Sequence, residues 1–568
     1  MKSFDFPRDS IVWDVGHQSY VYKILTGRRE QLSSIRELDS IAGFPNREES
    51  EYDIFGTGHA STSIAAANGI ATAKRLKGDK SFTIAVIGDG ALTGGLALES
   101  INNLISSNNR VLVILNDNEM SIDENVGLAS KLSKLRLSDK YINFKDNISN
   151  TLDNMSKVGN TIYKTMKKTK DSIKKLLLSN VTLENIGIKY YGIVDGHNTE
   201  QLINIFNNIK NLNRPVVLHI KTQKGRGYEP AIKNPSKFHG VGSFDAKSGK
   251  ILSTSQKSFT EIFSEAIVDL SNSHKDVVAI TAAMLSSTGL SDMKKLYPKR
   301  VIDVGIAESY AVTYAAGLAT QNIRPVVCIY STFLQRAYDQ LLHDVCLQKL
   351  PVIFAIDRAG IVGKDGATHQ GLFDISYLNT LPNMNIFTPM NAYDLRNILE
   401  YAYELNEPVA IRYPRGNAIY DFEDKRNEIS KEVYTELKNG ENICILAVGT
   451  MVVEAMKAAE LLLADGIKVG VIAVRRVKPI CNTFIDDIAR RYKCIFTVEE
   501  GIISGGFGNN ILRYITEKYD NKVYNIGIED KFIEHGEVGA LKRRYALDSK
   551  GIYTNIKGRQ ADFEREIR

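Results

Sequence analysis

Cysteine is scarce in this 568-residue chain. There are five (Cys328, Cys346, Cys444, Cys481 and Cys494), with no Cys-x-x-Cys pair among them. An odd, sparse set builds no disulfide framework and fits a reducing cytosol. No apolar run approaches the length of a membrane span, and no basic-then-apolar signal opens the chain, so a cytoplasmic protein with no membrane partner is expected. Tryptophan occurs once, as Trp13, expected in a core. Charge of one sign is also nearly lacking, since 72 Lys and Arg stand against 66 Asp and Glu, a net +6. Residues 131–175 alone hold twelve cations against four aspartates, more than the whole excess, so the rest of the chain is close to neutral. A basic run can signal nucleic acid or an anionic membrane. No aromatic interleaving accompanies this one, so it reads as a solvated Lys/Asn-rich insertion at about 121–180, with an amphipathic helix through Ile162, Met166, Ile173 and Leu177. No nucleic-acid partner is expected. There is no short-period repeat, and the length suits roughly three to four domains.

What is present begins with two stretches that share one grammar. Residues 84–95 read Ile-Ala-Val-Ile-Gly-Asp-Gly-Ala-Leu-Thr-Gly-Gly, and 111–120 read Val-Leu-Val-Ile-Leu-Asn-Asp-Asn-Glu-Met. Each is a short Val/Ile-rich run of the kind buried in a parallel sheet, ending in small, carboxamide or carboxylate residues. Ligands of an open α/β sheet bind beyond the carboxyl ends of its strands, where Asp89 and 116–118 emerge. Gly88 and Gly90 let main chain approach a bulky anion, and Gly94 and Gly95 open a helix whose N-terminus favours phosphate. Asp89, Asn118 and the Met120 carbonyl are hard oxygen donors suited to Mg²⁺ that also holds a diphosphate. Gly-Asp-Gly by itself is equally an ordinary strand-to-helix turn. The second strand ending in Asn-Asp-Asn favours the metal-diphosphate site.

Strand and helix patterns alternate along the rest of the chain, which predicts an α/β protein of three blocks, each a mostly parallel sheet flanked by helices. The expected domains are 1–245, 257–425 and 438–568, with a Ser/Lys/Gly-rich linker at 243–257. In the first, strands at 82–88 and 110–116 flank a helix at 94–108. A helix rich in small residues runs from 64 to 77, with Ser61 and Thr62 as candidate N-caps and Gly78 as its stop. Residues 221–228 form a glycine- and cation-bearing loop ending in Tyr228. In the second block, strands are expected at 277–283, 301–306, 325–330 and 351–356. Glu308 sits where a strand gives way to a helix, as catalyst or as helix cap. The glycine-broken loop 357–371 carries Arg358, Asp365 and His369, and Arg415 follows another apolar run. Loops this polar in a sheet protein hold function. The third block, from near Gly440, has few convergent ionisable groups, so packing or oligomerisation is its default role.

The motifs resemble those of the 1-deoxy-D-xylulose-5-phosphate synthases, a thiamine diphosphate-dependent family of the transketolase superfamily, over essentially the whole chain. The matching stretches are Trp-Asp-Val-Gly-His-Gln, Ile-Leu-Thr-Gly-Arg-Arg, Gly-His-Ala-Ser-Thr-Ser, Gly-Asp-Gly-Ala-Leu-Thr-Gly-Gly, Leu-Asn-Asp-Asn-Glu-Met-Ser-Ile, Lys-Gly-Arg-Gly-Tyr-Glu-Pro-Ala and Asp-Val-Gly-Ile-Ala-Glu. Tyr-Ser-Thr-Phe-Leu-Gln-Arg-Ala-Tyr-Asp-Gln, Tyr-Pro-Arg-Gly-Asn-Ala and the loop from Asp357 to Gly371 add to them, and the first and last of these three are specific to the family. The resemblance implies condensation of pyruvate with D-glyceraldehyde 3-phosphate to 1-deoxy-D-xylulose 5-phosphate and CO₂, a product that feeds isoprenoid, thiamine and pyridoxal synthesis. It implies a homodimer, with an active site between the first two domains. It places Mg²⁺ on Asp89, Asn118 and Met120, and thiamine diphosphate on Gly58, His59, Ala60, Gly90, Ala91, Asn118 and Tyr228, with His17 nearby. Glu308 is expected to bond the aminopyrimidine and activate the cofactor. Tyr330, Arg336, Arg358 and Arg415 resemble a substrate and phosphate clamp. His239 and His369 are candidates for proton transfer, and Asp365 for orienting it.

Three departures qualify the resemblance. The family carries a segment ahead of Trp-Asp-Val-Gly-His, with a Gly-His turn whose imidazole lies in the active site. This chain begins after it, and an incomplete reading frame, or a segment supplied by another chain, is expected. The family's Ala-Glu-Gln-His-Ala is here Ala-Glu-Ser-Tyr-Ala, with Ser309 and Tyr310 in place of Gln-His. The stretch 284–289 is altered ahead of its Thr-Gly. Two other readings stay open at this point: another transketolase or 2-oxoacid-decarboxylating enzyme, or a truncated paralogue that binds cofactor without turnover.

Overall fold

A computed structural model describes residues 1–118, 188–251, 256–420 and 433–567, the last seven of them by their backbone. Met120 and the amphipathic helix expected within 121–180 lie outside the described residues. The chain gathers into two bodies, one of Met1–Arg28, Phe44–Leu252 and Gly305–Ala307, the other of Arg29–Gly43, Ser253–Val304 and Glu308–Arg568.

The first body is built on five parallel strands. These are β1 (Ser10–Trp13), β2 (Thr83–Gly88), β3 (Val111–Asp117), β4 (Lys189–Asp195) and β5 (Val216–Lys221), in the order β1-β2-β3-β5-β4. β2 is buried from Thr83 to Ile87, as a parallel strand covered on both faces requires. Gly88 stands opposite Asn116, so β2 and β3 end side by side. On one face, helices Ser63–Leu76 and Gly95–Ser107 bury Ile64, Ala67, Ala97 and Leu104 against Ala85, Ile87 and Val113. On the other, Trp13, half-buried, packs with Phe82, Leu112 and Leu218.

The cap of helix Ser63–Leu76 differs from the expected one. Thr62 occupies the cap position but its side chain makes no cap bond, and the Ser61 hydroxyl donates to the Ala91 carbonyl at 2.7 Å. The acceptor is Asp14, just beyond β1. Its carboxylate takes the Ser61 and Ser63 amides at 2.7 and 3.0 Å. A buried anion at a helix N-terminus satisfies orphan N–H groups and opposes the helix dipole. The helix ends before Gly78, whose φ of +71° suits the left-handed stop.

The second body holds two sheets. One is formed by β6 (Val277–Thr281), β7 (Val301–Asp303), β8 (Arg324–Tyr330), β9 (Ile353–Ala359), β10 (Asn385–Phe387) and β11 (Val409–Pro414), all parallel. The other is formed by β12 (Tyr434–Lys438), β13 (Ile443–Val448), β14 (Val469–Val474), β16 (Cys494–Ile502) and β17 (Lys522–Ile528), parallel except for β12. Between them runs β15 (Arg476–Lys478). It leaves the third run of sequence and pairs antiparallel with β10, extending the second sheet to seven strands. Just before it, the buried Arg475 guanidinium donates to Asp394 at 2.9 Å. Periodicity missed β10, β12 and β15 because three to five residues are too few to show a repeat.

Replacing Asp14 by alanine strands two buried amides at a cost of about 1–3 kcal/mol each. Chemical denaturation of Asp14→Ala is expected to show a lower midpoint with an unchanged slope.

Candidate active site

In the first body, the polar groups gather where β2 and β3 stop. Asp89 begins a single helical turn, Asp89–Leu92, directly off β2, with Gly90 and Ala91 buried. Asn118 follows β3, and its amide donates to the Asp89 carboxylate. Burial, then the neighbouring Asp117, push the Asp89 carboxyl up to about 7, against the pull of the Asn118 and Gly90 amides. A carboxylate under that strain, beside a carboxamide, is a donor set that a hard divalent cation completes. Asp117 in turn meets His219 Nε2 at 2.9 Å, and His219 Nδ1 meets the Tyr190 hydroxyl at 2.7 Å. An ionised carboxylate can only accept, so Nε2 carries a proton, and in the neutral ring Nδ1 then accepts from the tyrosine. His219 is fully buried and figures in none of the sequence motifs.

The loop ahead of helix Ser63–Leu76 supplies Gly58 and Ala60, both buried, and His59, half-buried. The Ser61 hydroxyl ties this loop to the turn bearing Ala91. A Cβ on Gly94 would lie 2.2 Å from the Ser61 Oγ, so only glycine permits the approach. The buried hydroxyl of Tyr228 finds no hydrogen-bond partner among the described residues, while its ring packs on Phe238 at 5.6 Å and Phe244 at 6.0 Å. An orphaned buried hydroxyl, a glycine-lined cradle and oxygen donors together fit a diphosphate-bearing cofactor and its ion. The His17 and His239 rings stand 5.1 Å apart.

In the second body, Glu308 is the first residue of helix Glu308–Ala319 and is buried. Arg336 Nη1 lies 3.5 Å from its carboxylate. The departing residue Ser309 has a local use, since its hydroxyl donates to the Arg336 carbonyl at 3.0 Å. Tyr310 is 57% exposed and stacks on Tyr314. Tyr330 ends β8, and the Arg358 guanidinium lies 4.2 Å over its ring. Arg358 Nη1 also pairs with Asp357 at 2.6 Å and donates to the Ser287 carbonyl at 2.8 Å. A non-glycine residue at φ +58° is backbone strain of the kind held at functional sites. Asp365 bonds Arg36 and lies 3.2 Å from Arg415. Burial opposes its ionisation, but His369, Arg36 and Arg415 outweigh that and hold its carboxyl below the usual range. His369 Nδ1 meets the Thr368 hydroxyl at 2.8 Å, and its ring packs edge-on against Phe333.

The expected residues thus assemble within each body: Asp89 with Asn118, His17 with His239, Glu308 with Arg336, Tyr330 with Arg358, and Asp365 with Arg415 and His369. Arg36 and the His219–Asp117 pair were missed. Asp117 at least stands inside Asn-Asp-Asn, whereas a lone arginine 329 residues from its partner leaves no local signal.

Burial, then Lys224 and His17, push His239 down to about 3. Its imidazole is neutral when folded, while the unfolded chain takes up a proton near pH ~6.5. Stability is therefore lost as pH falls from that value toward 3. His239→Asn is expected to flatten this acid-side decline in thermal midpoint.

Residues 1–222 match the family described as 1-deoxy-D-xylulose-5-phosphate synthase. Residues 255–419 match the transketolase pyrimidine binding domain, and 433–552 the transketolase C-terminal domain. A 1-deoxy-D-xylulose-5-phosphate synthase of Clostridium acetobutylicum is 47% identical over 98% of this chain and 90% of its own length. The synthase of Caldanaerobacter subterraneus subsp. tengcongensis is 47% identical over 97% of this chain and 89% of its own. A Pichia stipitis transketolase structure is 15% identical over 98% of this chain and 90% of its own, with a TM-score of 0.47. Near-half identity sustained from one end of the chain to the other, across all three matched regions, means that this chain belongs to the 1-deoxy-D-xylulose-5-phosphate synthase family.

Proposed function

We propose that the protein condenses pyruvate with D-glyceraldehyde 3-phosphate, releasing CO₂ and forming 1-deoxy-D-xylulose 5-phosphate, with thiamine diphosphate and Mg²⁺ as cofactors. The observation that carries this reading is Glu308. It is a carboxylate buried at the first turn of a helix, inside a chain 47% identical to a named synthase. Thiamine diphosphate, when bound, supplies an electron sink for the carbanion left by loss of CO₂. The residues do the rest. Asp89 and Asn118, with the Met120 carbonyl, would hold Mg²⁺, and Gly90, Ala91 and Tyr228 would line the diphosphate. Gly58, His59 and Ala60 would complete that lining. Glu308 would hold a proton at the aminopyrimidine ring nitrogen, in surroundings dry enough to strengthen that hydrogen bond.

Arg358, Arg415, Arg336 and Tyr330 would bind the anionic ends of the two substrates, the arginines by their forked donors. His369 would pass a proton to the acceptor aldehyde, oriented by Asp365. His239, neutral in the fold, suits hydrogen bonding to a substrate oxygen beside His17. The same reading makes the protein a cytoplasmic homodimer, and its five unbridged thiols suit a reducing compartment. Among the described residues no helix is long and apolar enough to cross a membrane.

Calorimetry is expected to detect uptake of thiamine diphosphate with Mg²⁺, and turnover should require pyruvate with glyceraldehyde 3-phosphate. Preferred turnover of a ketose donor refutes the assignment. Glu308→Ala should slow CO₂ release by about 10²–10⁴-fold while cofactor uptake persists. Asp89→Asn should raise the Mg²⁺ concentration needed for uptake by about tenfold or more.

A further inference from the structure

The loop that carries Asp365 and His369 is held partly by its own bonds, such as His369 N–H to the Gly366 carbonyl at 2.9 Å, and partly by groups from outside it. Its ends are closed by a two-bond bridge, Gly360 N–H to the Gly371 carbonyl at 2.7 Å and Gly371 N–H to the Gly360 carbonyl at 2.8 Å. Inside that bridge, two buried amides turn to side chains. Glu500 Oε1 accepts the Ile361 amide at 2.8 Å, and Gln370 Oε1 accepts the Val362 amide at 2.8 Å. Gln370 Nε2 donates to the Glu534 carbonyl at 3.0 Å. Glu500 and Glu534 both come from the third run of sequence, Glu500 within β16 and Glu534 after β17. Both Glu500 and Gln370 are buried. The Glu500 charge is balanced by Lys542 Nζ at 2.9 Å, so the carboxylate stays where the loop needs it.

The loop backbone is pressed onto the same surface. A Cβ on Gly360 would lie 2.8 Å from the Glu500 carboxylate, and one on Gly363 would lie 2.9 Å from the Gly536 carbonyl. The Arg412 guanidinium donates to the Glu500 carbonyl at 3.1 Å and faces the Gly371 carbonyl at 3.4 Å. Asp365 and His369 are half-exposed, next to the exposed Lys364, Ala367 and Thr368.

We propose that Glu500 and Gln370 are positioning residues, which fix loop 361–370 to the third sheet so that Asp365 and His369 keep their place for the acceptor substrate. This rests on the acceptor role given above to those two residues. Neither Glu500 nor Gln370 touches a reacting atom. Their effect runs through the loop, and a displacement of about 1 Å at such a distance can cost orders of magnitude in rate. The third sheet thereby gains a part in the reaction beyond packing.

The test uses the full chain with thiamine diphosphate and Mg²⁺, comparing wild type, Glu500→Ala, Glu500→Gln and Gln370→Ala. Amide hydrogen exchange over 361–370 is read beside the kinetics of each substrate. In Glu500→Ala and Gln370→Ala the loop amides are expected to exchange faster. kcat/KM for glyceraldehyde 3-phosphate should fall about tenfold or more, with KM for pyruvate near that of wild type. Glu500→Gln, which keeps a carbonyl oxygen for the Ile361 amide, should recover most of the loss. Unchanged exchange in both alanine variants overturns the proposal. So does an equal loss for both substrates, which marks a merely structural role. Should Glu500→Ala not fold, Gln370→Ala supplies the same readings. If wild type turns over neither substrate, the assigned reaction falls, and exchange alone then decides whether the two side chains fix the loop.

Discussion

A strand covered by helices on both faces offers chemistry most readily where it stops, because a polar side chain along its length is buried and has to be matched by a partner. Most of the candidate site groups sit at such ends, while His219, Arg412, Glu499 and Glu500 lie within strands and are each partnered there. β1 ends on Asp14, β2 on Asp89, β3 on Asp117 and Asn118, β8 on Tyr330 and β9 on Asp357 and Arg358. Parallel pairing in register brings such ends level, as with Gly88 beside Asn116 and Tyr330 beside Asp357. The apolar interiors then act as rulers. They set which carboxylate, carboxamide and guanidinium groups arrive at the same edge, and the loops beyond them need only small adjustments.

Charges delivered to a dry edge have to be matched, and the chain does this unevenly. Arg28 grips Asp53 with bonds of 2.6 and 3.0 Å, Arg412 meets Asp374 at 3.0 Å, and Arg475 meets Asp394 at 2.9 Å. All six residues are buried, so removing one partner costs about 3–5 kcal/mol through the charge left behind. These pairs are scaffolding. Asp89 is the contrast, since the neighbouring Asp117 carboxylate pushes its carboxyl the same way as burial does. Fully matched pairs hold the strands and loops in place. Asp89 stands where a cation is expected to bind.

Much of this was legible in the residues. The runs that became β2, β3 and β8 are short stretches dominated by Val, Ile, Leu and Ala, and they folded within a few positions of the expected spans. Gly78 announced a helix end by its left-handed backbone, and Gly94 a helix start where Ser61 leaves no room for a Cβ. What stayed hidden depends on partners distant in sequence. Asp14 caps a helix 47 and 49 residues away, so Ser61 and Thr62 looked like the natural caps from within the local window. Glu499 and Glu500 are adjacent in a strand and point to opposite faces, one accepting the Phe507 and Gly508 amides, the other the Ile361 amide. Nothing in a pair of glutamates reveals two such different duties. For the same reason the third block looked chemically empty, since its contribution is made through the backbone of a loop from another block.

The antiparallel pairing of β15 with β10 has a further consequence. A three-residue strand, only Arg476–Lys478, shields the outer rim of the second sheet. Cutting the polypeptide ahead of residue 433 would bare the hydrogen-bonding groups of Asn385–Phe387, leaving an open template for strands of other molecules. Dissecting this protein into separately produced lobes therefore invites clumping of the middle one, unless the short sealing strand is carried along with it.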